Sequence, residues 1–131
     1  MRVQRLWAIV AFTVMVFLMF GGLVSAHHSV AGYDSKKEIS LRGVIVEYNW
    51  RNPHVFVIWD VKDESGQVVQ WTGELSSPTT MMQVGMRKDS LKKGDEVIIT
   101  ANPSKTGNLL GVIRKITTAD GKIIVDKVTP Q

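Results

Sequence analysis

Residues 67–85, QVVQWTGELSSPTTMMQVG, decide how the rest of the chain is read. Gln67 to Leu75 alternates like a half-buried strand, with valine and tryptophan on it. Ser76-Ser77-Pro78 then marks a helix start, since Ser77 can cap and proline suits the first helical position. The helix is short, about Thr79 to Val84, and Gly85 can end it. A short helix directly after a third strand, with more strands to come, separates one β architecture from its rivals.

Upstream of this stretch the pattern predicts two strands. The first runs about Glu38 to Trp50, and Gly43 in its interior suggests a bulge or a sharp bend. Arg51-Asn52-Pro53 breaks the chain. The second strand runs His54 to Val61, with Val55, Val57, Trp59 and Val61 on one face and His54, Phe56, Ile58 and Asp60 on the other. Lys62 to Gly66 is a polar turn. Downstream, Met86 to Asp95 is a polar connector, and strands follow at Glu96–Ala101 and Leu109–Thr117. Asp120-Gly121 is a hairpin signal, so Lys122 to Val125 pairs back as a last short strand. The fold class is mainly β: a small OB-like five-stranded barrel with one short helix between strands 3 and 4. A small open sandwich would share the strands but leave the helix without a role.

The amino end reads differently. Arg2 and Arg5 form a basic n-region, and Leu6 to Val24 is 19 residues without a charge. Val24-Ser25-Ala26 fits a cleavage site after Ala26, the three-part layout of a secretory signal peptide. The alternative is an uncleaved anchor, because 19 apolar residues nearly span a bilayer. Either way the basic n-region holds the amino end in the cytoplasm and the globular part lies outside, in a bacterial periplasm or beyond it. The expected division is a signal peptide over 1–26, an N-terminal arm over 27–37 and the barrel domain over 38–131. Membrane contact is expected only through the leader, if it is retained.

Composition removes several function classes. The 131 residues include no cysteine, so there is no disulfide, no thiolate metal site and no cysteine nucleophile. The formal charge is +4, but two of the sixteen basic residues belong to the leader, and the remainder is close to neutral. No basic stripe supports nucleic-acid binding. The aromatics Tyr48, Trp50, Phe56, Trp59 and Trp71 on the first three strands are read as core packing rather than base-stacking platforms. No phosphate loop, nucleophile–base pair or HExxH-type motif occurs, so an enzyme is not the expected reading.

Three histidines remain as candidate ligands: His27, His28 and His54. A cut after Ala26 makes His27 the N-terminus, where its α-amine and ring nitrogen can chelate one ion together. One more imidazole, from His54 or less comfortably from His28, completes a three-nitrogen histidine brace. Planar amine and imidazole nitrogens suit Cu(II). Nearby carboxylates are Asp34, Glu47, Asp60 and Glu74. They are read as solvated or paired structural groups, although Glu74 could approach the site from a neighbouring strand. Met81 and Met82 are adjacent on a helix and point about 100° apart, so one of them belongs to the core and a joint methionine site is not expected.

The segments Ala26-His27-His28-Ser29, Leu41-Arg42-Gly43-Val44, Asn52-Pro53-His54-Val55, Trp71 with Glu74, Ser77-Pro78 and Arg87 to Asp95 run in order along the chain. In them the chain resembles the DUF6152 family of small exported bacterial proteins. The resemblance implies an OB-like fold, an extracytoplasmic location and a shared histidine site, and it implies no activity. Met81, Met82 and Met86 stand where the resemblance leads one to expect larger aromatic or basic residues. The expected function is an exported periplasmic binding protein holding copper through His27 and His54, or less comfortably His28. The alternative is a non-metal OB-type module for a peptide, a glycan or a partner protein, with structural histidines.

Overall fold

The structure is a computed structural model that describes Trp7 and residues 31–126. The expected signal peptide, its cut after Ala26, and both His27 and His28 lie outside the described residues. Six strands and one helix follow in the order β1 (Ile39–Asn49), β2 (Phe56–Lys62), β3 (Val68–Glu74), α1 (Pro78–Gln83), β4 (Glu96–Pro103), β5 (Leu110–Thr118) and β6 (Ile123–Asp126).

The strands are ordered β3-β2-β1-β4-β5-β6, and an additional β3–β5 pairing closes the first five into a barrel. That closing contact is parallel and short, joining Thr72, Gly73 and Glu74 to Leu110, Gly111 and Val112. All other pairings are antiparallel. β6 lies outside the barrel, joined to β5 by the Asp120-Gly121 turn. The mainly-β, OB-like expectation is therefore met, including the helix between strands 3 and 4.

β1 is the strand that bends. It pairs with β4 over Ile39–Val44 and with β2 over Gly43–Asn49, so it passes from one partner to the other at Gly43. A β-carbon on Gly43 would strike the Asp60 carbonyl oxygen and stand 2.7 Å from Trp59 Cδ1. The glycine is needed for close approach. The bulge expected there lies further along instead, where the β1–β2 register slips between Ile45 and Glu47.

The core follows the alternation of β2. Val55, Val57, Trp59 and Val61 are buried and pack with Ile45, Val97, Ile99, Ile113 and Ile116. Trp59 meets Trp71 across β2–β3, with ring centroids 6.1 Å apart. Tyr48 and Trp50 pack edge-to-face on the neighbouring strand. Trp59 is a core residue, Tyr48, Trp50 and Trp71 are partly buried at its margin, and Phe56, on the other face of β2, does not join the core.

Helix α1 is too short to stand alone, since isolated helices below about 12 residues are marginal. Ser77 caps it by accepting from Thr80 N, and Pro78 opens its first turn. Gly85, at φ +88°, follows it in the left-handed conformation. Met81 is fully buried and Met82 is 44% exposed, so one methionine anchors the helix and the other does not. Burying Met81 contributes about 1.5–3 kcal/mol, more than so short a helix gains from its own hydrogen bonds.

Candidate metal centre

His54 owes its place to the ladder that continues β2 and β3 beyond their regular ends. Val55 N donates to Ser76 O at 3.1 Å and Leu75 N donates to Val55 O at 2.8 Å. The cis Asn52–Pro53 peptide lies just before. Because Val55 points into the core, His54 points out, together with Phe56. Phe56 is registered with Glu74, so His54 and Glu74 are diagonal neighbours on the same outer face. Diagonal pairs are within reach of long side chains.

The two side chains use that proximity. His54 Nδ1 forms an ion-pair contact with Glu74 Oε1. The His54 side chain is 32% exposed and that of Glu74 only 14%. In the neutral ring this contact places the proton on Nδ1 and leaves the Nε2 lone pair free. Metal-bound imidazoles are typically held in this way, by a carboxylate on the nitrogen that does not coordinate. The sequence pointed to His54 and to Glu74 as a carboxylate that could reach it, and the structure brings the two together. Asp60 lies further along β2, beside Gln70, whose Nε2 donates to it at 3.1 Å.

The arm closes in from the other side. Asp34 N donates to Pro103 O at 2.9 Å, and Tyr33 pairs with Ser104 as an isolated bridge. Lys105 grips the arm twice, its backbone N donating to Gly32 O and its Nζ to Ala31 O, each at 2.9 Å. Asn102 Nδ2 donates to Lys37 O at 2.8 Å. The arm is thereby laid along the end of β4 and the loop after it. β5 starts beside β3, so this path carries Tyr33 to Glu74. Burial raises the Tyr33 phenol above its ordinary range, and the Glu74 charge and a hydrogen bond to Glu74 raise it further.

Tyr33 is the site residue that sequence reasoning missed. Its only signal was an aromatic ring in an otherwise polar arm, and no spacing rule connects it to Glu74. Among the described residues no three His, Cys, Asp or Glu side chains converge as a complete metal cage. His54 is the one expected ligand that the structure describes, with Glu74 against it; His27 and His28 lie outside the described residues.

Beside the arm, a groove of about 540 Å³ lies between the start of β1, Trp71 in the middle of β3 and the loop before β5. Ile39, Leu41 and Trp71 form its apolar part, and Asp34, Lys37 and Asn108 its polar part.

No curated protein and no solved structure matches the chain. A family model does match, over residues 16–114, reaching into β5. The chain therefore belongs to the family of unknown function DUF6152.

Proposed function

We propose that this protein is exported, that its leader is cut after Ala26, and that the mature form binds copper through His27 and His54 in the periplasm. The observation that carries this reading is the presentation of His54: Glu74 holds Nδ1 and the side chain stays part-exposed, so in the neutral ring Nε2 is the nitrogen left to coordinate. The docked arm supports it. Ala31 is tied to Lys105, and the four peptide units between His27 and Ala31 reach at most about 14 Å. The sequence alone allowed an arm of eleven residues to wander about 35 Å. His28 is the alternative second imidazole. On this reading the protein is a carrier, sensor or accessory factor.

The test begins with intact mass of the secreted protein, which should correspond to an N-terminal His27. Cu(II) titration should then show one tight site. A variant with one alanine inserted before His27 loses the histidine α-amine and should bind at least tenfold more weakly. Equal binding by both forms sinks the brace.

The groove beside Trp71 favours a second reading, a non-metal binding module for a peptide, a glycan or a partner protein. Its volume falls in the range of small-molecule sites, about 300–1,000 Å³. On that reading His54→Ala changes fold stability and leaves metal content as it was.

A further inference from the structure

The barrel is not closed along its whole length. β3 pairs with β2 all the way from Val68 to Glu74, but with β5 only at Thr72, Gly73 and Glu74. Thr72 N donates to Leu109 O at 3.0 Å, and there the second partner leaves. Leu110 N donates to Asn108 O at 2.7 Å, a tight turn that carries the chain away from β3. Backbone groups of alternate residues in a strand point to the same side, so those of Val68 and Gln70 face the same way as those of Thr72. Among the described residues they meet no strand. Such an edge is ordinarily blunted by charge, proline or a bulge. Here Val68, Val69 and Gln70 are uncharged, and the β2–β3 register runs without a slip. Val68 is 62% exposed.

The groove beside Trp71 opens at the same seam, with Trp71 on one side of it and Asn108 and Leu109 on the other. Ile39, Leu41 and Trp71 are registered with Ala101, Ile99 and Trp59, all buried, so they belong to the inner face of the barrel. Each is nevertheless only partly buried. Lys37 and Lys105 stand against a single carboxylate in the lining, Asp34, which already accepts from Lys36 N. Among the described residues neither lysine forms a salt bridge.

Resting on the binding-module reading above, we propose that this seam takes an extended peptide as an added strand, with an apolar side chain in the groove and an acidic one toward Lys37. A polypeptide answers all three features. Its backbone offers N–H and C=O groups at the spacing of Val68 and Gln70, its alternate side chains turn inward, and a carboxylate meets the excess of positive charge. A glycan ring needs an open aromatic face, whereas Trp71 is partly buried and packed against Trp59.

The probe is the blocked heptapeptide acetyl-Thr-Leu-Thr-Leu-Thr-Glu-Thr-amide, which carries both leucines and the glutamate on one face when extended. Titrated into the purified ¹⁵N-labelled protein, it should shift the amides of Val68 to Trp71 and slow hydrogen exchange at Val68 and Gln70 at least tenfold. Two N-methylated forms test the pairing, one methylated at the two inner threonines and the other at the two leucines. Only one of these alternating sets faces β3, so one form should bind at least tenfold more weakly and the other within threefold of the parent. Lys37→Glu, at an exposed position of the arm, should weaken the parent peptide at least threefold and favour a peptide with lysine in place of glutamate.

Equal losses for the two methylated forms, or none, overturn strand addition and leave the groove as a binding site of another kind. Indifference to the charge exchange overturns the acidic preference. Failure of the peptide, and of its valine and phenylalanine counterparts, to bind at millimolar concentration overturns the proposal. If cellotriose then shifts the amides around Trp71, the binding-module reading stands with a glycan as its ligand. Shifts from neither probe remove that reading as well.

Discussion

The Tyr33 phenol, carried by the arm, sits beside the Glu74 carboxylate at the end of β3, and burial together with that charge raises it above its ordinary range. This contact joins the segment after the leader to the barrel wall. Tyr33→Phe keeps the ring and removes the hydroxyl. It should lower stability by about 0.5–1.5 kcal/mol, the net worth of one hydrogen bond, in a denaturant melt. Amide exchange of residues 31–34 should speed up in the same variant. Unchanged exchange would mean that the backbone contacts to Pro103 and Lys105 hold the arm unaided.

The two tyrosines also set an alkaline limit. Burial, with the Glu74 charge, raises Tyr33, and burial, with the Asp89 charge, raises Tyr48. The Tyr48 hydroxyl donates to Arg87 O at 2.9 Å, which keeps the protonated form in place. A phenol raised in the folded state binds its proton more tightly there than in the unfolded chain. Its contribution is complete below the unfolded value near pH 10 and is lost as pH rises through the folded value. Stability should therefore fall above about pH 10, and Tyr48→Phe should flatten that decline. A stability curve level to pH 12 would contradict the burial of both groups.

Acid acts on three turns. In Asp95 burial works against ionisation, but hydrogen bonds from Lys92 and the Lys92 charge outweigh it and hold the carboxyl below its ordinary value. Hydrogen bonds from the Ser65 side chain and from backbone groups of the β2–β3 turn do the same for Asp63, and the Thr118 hydroxyl does so for Asp120. A depressed carboxyl contributes stability above its unfolded value, near pH 3.9, and loses it as pH falls through the lower folded value. The acid limb of the stability curve should lie below about pH 4, and Asp95→Asn should raise stability loss at neutral pH while flattening that limb. A melt followed from pH 7 to pH 2 checks both.

Gly43 should tolerate no side chain. Gly43→Ala drives a methyl into the Asp60 backbone and onto Trp59, neither of which is the flexible end of a side chain. Overpacking of this kind costs about 1–3 kcal/mol, and a clash with backbone places this one at the upper end. A loss below about 0.5 kcal/mol, in the range of ordinary surface substitutions, would mean that the β1 bend is softer than its geometry shows.

The helix offers a paired contrast. Met81→Ala opens a cavity in the core and should cost about 2–5 kcal/mol, whereas Met82→Ala should stay within about 0.5 kcal/mol. Ser77→Ala removes the cap seen at Thr80 N and should cost about 1 kcal/mol. Urea midpoints of the three variants give the order directly.

Much of the barrel was legible because its cues are local. The alternation of Val55, Val57, Trp59 and Val61 names the inner face of β2, and the same alternation places His54 outside. Ser77, Pro78 and Gly85 mark α1 through hydrogen bonding and backbone conformation within a few residues. Gly43 was read as a bulge or a sharp bend: β1 does change partners there, but the register slip lies after Ile45, since a glycine required for contact looks the same in sequence as one required for a bulge. Barrel closure was read from the short helix between strands 3 and 4, whereas the parallel β3–β5 register has no local cue of its own.

The candidate site divides along the same line. The sequence by itself determined that His54 leaves the core at the start of β2, that a basic and then apolar stretch ending in small residues precedes His27, and that no cysteine competes for a metal. These follow from side-chain alternation, hydropathy and composition, which act over a few residues. Only the tertiary structure decided that Glu74 takes His54 Nδ1 and that Tyr33 is brought to Glu74 by an arm pinned to Pro103 and Lys105. Those contacts join β2 to β3 and the arm to the β4–β5 loop. They depend on strand register and barrel closure, which bring together side chains that nothing in their local spacing relates.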